Sequence, residues 1–377
     1  MNLHKSTLER SMFFLMISAC STNQKTIQDS ISPMDEPSQE EQEPSNPSTE
    51  PSAQPSAEPE AQPTSEPETE PVEEPEPTIV RFIALGDGGE GNDAQYQNGE
   101  AISTICAQKT GDKAGCEFAI YLGDNFYDEG VTSVYDEQFE TKFELPYAIL
   151  DIPFYVALGN HDYGGCFFGQ CGTGWDFERS EYQVNYSNFS DKWTMPSEYY
   201  SFVKEHVTFI ALDTNALMWD PWFSTGEEQY PWMEETLSSV QTDWVIAYGH
   251  HPYISNGKHG NAGSYEGLEF LASWSVADVP LGAGVKDFMD AHLCGQVDVY
   301  FAGHDHNRQW LEPTCGTEFI VSGAAAKTTD LEGRGNPTFY EDDTQTGFVW
   351  VEIADNCMTA EFYNQDAQQN FAQTVCR

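Results

Sequence analysis

Five short motifs in this chain place a glycine, then a side chain with a metal-binding atom, directly after an apolar run. They are Gly86-Asp87, Gly123-Asp124, Gly159-Asn160, Gly249-His250 and Gly303-His304. One Gly-Asp pair in such a place is an ordinary turn signal. Five in one register describe a site, and Tyr127 and His306 follow two of them within reach. Carboxylate, phenol, carboxamide and imidazole groups with no thiolate suit hard or borderline cations such as iron, manganese or zinc. Seven such groups are too many for one ion. The reading is two ions roughly 3.5–4 Å apart that share one carboxylate, an arrangement suited to phosphoryl transfer.

The elements that must position these residues are legible around them. RFIALG (81–86), EFAIYLG (117–123), PFYVALG (153–159), WVIAYG (244–249) and VYFAG (299–303) are strand-length apolar runs that end in glycine. HVTFIALD (206–213), EFIVSG (318–323), GFVWVEIA (347–354) and TAEFYN (359–364) read as further strands. Helical spacing is expected over 94–108, 135–150, 227–240 and 285–293. Strands apolar on both faces, separated by helices, predict an α/β protein whose sheets are covered on both sides. Ligands in open α/β sheets gather outside the carboxyl ends of strands, where all five motifs fall. Glycine suits those positions because the backbone must turn sharply and approach the site closely.

The blocks GDGG (86–89), GDNFY (123–127), GNHD (159–162), GHHP (249–252) and GHDH (303–306) resemble those of purple acid phosphatases within the calcineurin-like metallophosphoesterase superfamily. The likeness runs from about residue 80 to 355, and GDNFYDEGV, WTMPSEYY and GHHPYISNGKHG are most similar to the tartrate-resistant branch. The resemblance implies a four-layer α/β/β/α sandwich with a dinuclear metal site at the strand ends. It implies Fe(III) held by Asp87, Tyr127 and His306, and a divalent ion (Fe, Zn or Mn) held by Asn160, His250 and His304, with Asp124 bridging. The second histidine of GHHP, His251, would stand behind the ligands. The implied reaction is acid phosphatase hydrolysis of small phosphate monoesters, with an attacking hydroxide activated by the ions. His161 and His259 are the candidate proton donors to the leaving alkoxide. Close relatives carry a glutamate where this chain has Lys258, a departure that bears on leaving-group protonation. A phosphodiesterase or nucleotide pyrophosphatase on the same core, and a non-catalytic tethered binding module, are the alternative readings.

Outside residues 79–377 the sequence changes character. The first twenty residues carry Lys5 and Arg10, a short apolar run, and Ile17-Ser18-Ala19-Cys20, the pattern of a signal peptide ending in a lipobox-like cysteine. Residues 21–78 are Pro/Glu/Ser-rich with little to bury, as expected of a disordered tether. An exported lipoprotein of the outer membrane, facing periplasm or cell surface and anchored through Cys20, is expected, with simple secretion as the alternative. The net charge of −46 argues against nucleic acid as a partner, and a monomer is expected. The eight cysteines after Cys20 point to disulfides in an oxidising compartment. The expected pairing is local: 106–116, 166–171, 294–315 and 357–376.

Overall fold

The structure, a computed structural model, describes residues 77–111, 113–167, 170–265 and 282–377. The expected signal peptide, Cys20 and nearly all of the expected tether lie outside the described residues. In chain order the strands are β1 (Ile79–Leu85), β2 (Phe118–Leu122), β3 (Phe154–Ala157), β4 (Cys166–Phe167), β5 (Gln170–Cys171), β6 (Trp193–Thr194), β7 (Tyr200–Lys204) and β8 (Val207–Ala211). They continue with β9 (Trp244–Tyr248), β10 (Val299–Ala302), β11 (Arg308–Thr314), β12 (Thr317–Ser322), β13 (Thr338–Asp342), β14 (Gly347–Ala354), β15 (Cys357–Asn364) and β16 (Gln369–Cys376). The helices are α1 (Asp93–Gln108), α2 (Asn160–Tyr163), α3 (Ser180–Tyr186), α4 (Thr214–Phe223), α5 (Gln229–Ser239) and α6 (Ala283–His292).

Two seven-stranded sheets form, in the orders β16-β15-β14-β1-β2-β3-β6 and β13-β11-β12-β10-β9-β8-β7. The first sheet is parallel through β1, β2, β3 and β6 and antiparallel through β14, β15 and β16. The second is parallel through β8, β9, β10 and β12, with antiparallel strands on both flanks. Central parallel strands are covered on both faces, which is why FAIYL and VYFA are buried at every position. Between the sheets, Phe82 and Phe118 of the first meet Phe209 of the second edge-on, each at 5.2 Å between ring centroids. Phe82 also meets Phe301 at 5.8 Å. Such pairs add about 0.5–1.5 kcal/mol each beyond the area they bury. A second cluster lies outside the second sheet, where Leu217 of α4 and Val285, Phe288 and Met289 of α6 pack with Tyr300, Phe319 and Val321. Ile102 and Ile105 of α1 belong to the core of the first. The layers are therefore α/β/β/α.

The stretch 135–150 departs from the helical expectation. It is helical only over 138–144, most of it a π-type segment at Glu140–Glu144, with turns on either side. Phe139 and Phe143 there close on Trp193 at 5.8 and 4.8 Å, so aromatic packing, rather than helical spacing, sets the backbone path. The four disulfides join 106–116, 166–171, 294–315 and 357–376, the local pairing that was expected.

Candidate metal centre

β1, β2 and β3 end side by side in one sheet, and β9 and β10 end side by side in the other. The turns that follow interlock. The Asp87 amide donates to the Gly123 carbonyl at 3.0 Å, and the Gly303 amide to the His250 carbonyl at 3.0 Å. The Gly86 amide crosses between sheets to the Ser322 carbonyl at 2.8 Å. Asp87, Asp124 and His304 all take left-handed backbone conformations, with φ of 60°, 53° and 69°. That region costs a non-glycine residue about 1–3 kcal/mol and concentrates where side chains must be aimed. The glycines make room: a Cβ on Gly159 would stand 2.3 Å from Asp124 Oδ1, and one on Gly303 2.5 Å from Asp87 Oδ2.

All seven residues singled out for metal binding meet at this rim, in two clusters. The Tyr127 hydroxyl lies 3.0 Å from Asp87 Oδ1, 2.9 Å from Asp124 Oδ2 and 3.1 Å from His306 Nε2. His250 Nε2 lies 3.1 Å from Asn160 Oδ1, 3.0 Å from His304 Nδ1 and 3.3 Å from Asp124 Oδ2. Asp124 Oδ2 thus faces both clusters. Donor atoms of Asp87, Asp124 and His306 fall within 4.8 Å of one another.

The electrostatics fit cations. Burial, then Asp124 and Asp87, push the Tyr127 phenol well above its ordinary range, so only a strong positive charge would ionise it. Burial works against the charged forms of Asp124 and His250 alike, yet their mutual attraction wins. Asp124 is held well below the usual carboxylate range, with His161 assisting, and His250 rises to about 9. Burial and then neighbouring imidazoles push His304 well below its usual range, leaving a neutral donor. Two carboxylates, an amide oxygen, a phenol and three imidazoles, buried together, are a donor set that two hard or borderline cations would satisfy.

A second ring of contacts fixes these side chains. His250 Nδ1 bonds the Leu122 carbonyl at 2.9 Å, which turns Nε2 toward the site. His251 does not join the clusters; its Nδ1 meets the Thr214 hydroxyl at 2.9 Å. That hydroxyl also accepts the amides of His250 and His251 at 3.2 and 3.0 Å. Asp162 gathers five donors: the amides of Asn125, Phe126 and Gly159, and the side chains of Asn125 and Gln183. Burial and Asp124 oppose that set and push the Asp162 carboxyl up to about 7. Asp305 accepts from the Ser255 hydroxyl at 2.5 Å and the His259 amide at 2.7 Å.

The two candidate proton donors flank the rim from opposite sides. The ring of His161 lies 4.5 Å from that of Tyr127, its Nδ1 2.6 Å from the Asp128 carbonyl. The ring of His259 lies 4.1 Å from that of His304. Lys258 is exposed. Three residues here escape a reading by motif: Thr214, Lys142 and Lys327. Lys142 Nζ donates to the Tyr127 carbonyl. Lys327 Nζ sits 3.3 Å from the Tyr127 ring centroid and 2.5 Å from Glu90 Oε1. The available signal was the glycine of EFIVSG, a further strand end on the same rim, four residues before Lys327.

Residues 80–308 match the model of the calcineurin-like phosphoesterase family. Tartrate-resistant acid phosphatase type 5 of Homo sapiens is 27% identical over 328 residues, covering 79% of this chain and 91% of that one. Two solved structures share the fold. One is GAP50, titled the anchor in the inner membrane complex of Plasmodium (TM-score 0.59, 21% identity, 79% of this chain and 89% of that one). The other is a purple acid phosphatase from yellow lupin (Lupinus luteus) seeds (TM-score 0.56, 18% identity, 80% of this chain and 54% of that one).

Proposed function

The chain belongs to the calcineurin-like phosphoesterase family, and from that premise we propose that it is an acid phosphatase that hydrolyses small phosphate monoesters at a dinuclear Fe(III)–M(II) centre. The observation that carries the reading is the shared carboxylate: Asp124 Oδ2 stands 2.9 Å from the Tyr127 hydroxyl and 3.3 Å from His250 Nε2. Asp87, Tyr127 and His306 would hold the ferric ion, and Asn160, His250 and His304 the divalent one. When bound, the ions polarise the phosphate and lower the pKa of the attacking water.

The protein's own groups handle positioning and protons. His250 is oriented by Leu122, and His161 donates its backbone amide to Asp124 Oδ1 at 2.9 Å. As water oxygen bonds to phosphorus, the bond to the substrate oxygen breaks and the departing alkoxide takes a proton. His161 supplies it, with His259 at the other side of the rim as the alternative donor; such a donor is worth about 10²–10⁴-fold. The strongly negative chain disfavours bulky polyanions. We further propose export, with Cys20 lipidated and residues 21–78 as the spacer.

The test is a visible spectrum of the iron-loaded protein together with rates on p-nitrophenyl phosphate and its bis ester. A broad visible band that disappears in Tyr127→Phe, with the monoester preferred, is expected. A colourless, metal-loaded enzyme would overturn the iron assignment, and a preference for the diester would overturn the substrate class.

A further inference from the structure

We propose that the disulfide-closed hairpin Cys166–Cys171 is the positioning element for Asn160, so that retention of the divalent ion depends on this bridge being closed. The inference rests on the two-cation reading above. A carboxamide presents an oxygen or an NH₂ group of nearly the same shape, and only the oxygen has the lone pairs a cation takes. Here one hydrogen bond makes the choice. Asn160 Nδ2 donates to the Gly172 carbonyl at 2.7 Å, which leaves Oδ1 facing His250 Nε2 at 3.1 Å.

Gly172 also backs His161. A Cβ there would lie 2.2 Å from His161 Nδ1 and 2.8 Å from the Asp128 carbonyl oxygen, and φ is +70°. Its place is set by what flanks it. On one side Cys171 pairs with Cys166 across the β4–β5 ladder and through the disulfide. On the other, the Thr173 and Gly174 amides donate to the Gly165 and Gly164 carbonyls at 3.2 and 2.8 Å. Gly164, Gly165, Gly172 and Gly174 all have positive φ. Four such glycines give the open chain a wide conformational ensemble that the ladder must outcompete, and a covalent closure removes much of that ensemble. Both cysteines are exposed, within reach of a reductant. Asp87, Tyr127 and His306 are aimed from other turns, after β1, β2 and β10. Opening the hairpin therefore acts first on the ion that Asn160 would hold, and reaches the other only through His161, which stands beside Tyr127 and donates to Asp124.

The experiment uses the full chain as the wild type, as Cys166→Ser/Cys171→Ser, and as Cys357→Ser/Cys376→Ser, which opens a bridge between β15 and β16 at the sheet edge. Metal per chain is counted after dialysis, and divalent zinc is titrated back. Two ions are expected in the wild type and the edge control. One is expected in the hairpin variant, with its visible band kept and zinc affinity down about 10–100-fold, the usual effect of losing an outer partner. Gly172→Ala keeps the bridge, displaces the carbonyl and should show the same selective loss, which keeps the inference open to refutation should the serine variant misfold. Two ions and wild-type zinc affinity in either folded variant overturn the inference alone. Fewer than two ions in the wild type overturn the two-cation reading, and the inference with it.

Discussion

Thr214→Val removes one hydroxyl and preserves nearly all of the side chain's shape, and its effect can be worked from three contacts. The Thr214 oxygen accepts from the amides of His250 and His251 at 3.2 and 3.0 Å, and its hydrogen is left to meet His251 Nδ1 at 2.9 Å. All three residues are buried, so water cannot replace what is lost. A stranded buried amide costs about 1–3 kcal/mol, hence about 2–6 kcal/mol for the pair. Against a total stability of about 5–15 kcal/mol this is a large fraction. At about 2–4 °C per kcal/mol for a domain of this size, the melting temperature should fall by roughly 5–20 °C. The amides belong to the turn that aims His250, so zinc affinity at the divalent position should fall by about 10–100-fold as well. Thr214→Ser keeps the oxygen and should stay near the wild type in both measurements. The assay is calorimetric melting of metal-loaded protein paired with zinc titration. A valine variant as stable and as tight as the serine variant would refute the claim that this hydroxyl organises the turn.

Asp124→Asn alters the one side chain facing both clusters. It should lose both ions together, with monoesterase activity falling beyond the roughly 10–100-fold typical of an outer partner; two ions and full activity by mass spectrometry and assay would sink the shared-carboxylate account. Lys327→Met removes the cation 3.3 Å from the Tyr127 ring centroid, an interaction worth about 0.5–2 kcal/mol. Electrons on the phenolate would then lie higher in energy, so the visible band should move to longer wavelength and the ferric/ferrous potential should fall; a stationary band and potential would show that the ammonium leaves the ring's electronics untouched.

The rim was legible because its strands are covered on both faces. FAIYL and VYFA have no polar face to interrupt them, so the break at glycine stands out against a continuous apolar run. What lay beyond was carried by long-range contact. Thr214 meets His251 across 37 residues and Lys327 meets Glu90 across 237, and neither partner marks the other locally. The run TNALMWDPWF has no glycine break to mark it and is helix α4, capped by the Asp213 carboxylate, with Leu217, Met218 and Trp219 buried. Strand β11 was hidden by its charge. Arg308 is fully buried there because Asp342 and the Tyr363 carbonyl meet its guanidinium. Strand β16, polar and alternating at the sheet edge, gave no apolar run to read.

The four disulfides each close a short stretch of chain, with separations of 5 to 21 residues. Oxidation therefore staples neighbouring strands together or a helix end to the sheet beside it. Among the described residues no bridge joins one sheet to the other, and the two sheets are left to hold each other by packing, hydrogen bonds and the rim. At that rim three ligand-bearing turns belong to one sheet and two to the other. A pair of ions seated there would act as a removable clasp across the seam, each adding about 2.7 kcal/mol when free metal stands a hundredfold above its dissociation constant. Export would make the staples permanent, whereas the clasp would open and shut with the metal supply outside the cell.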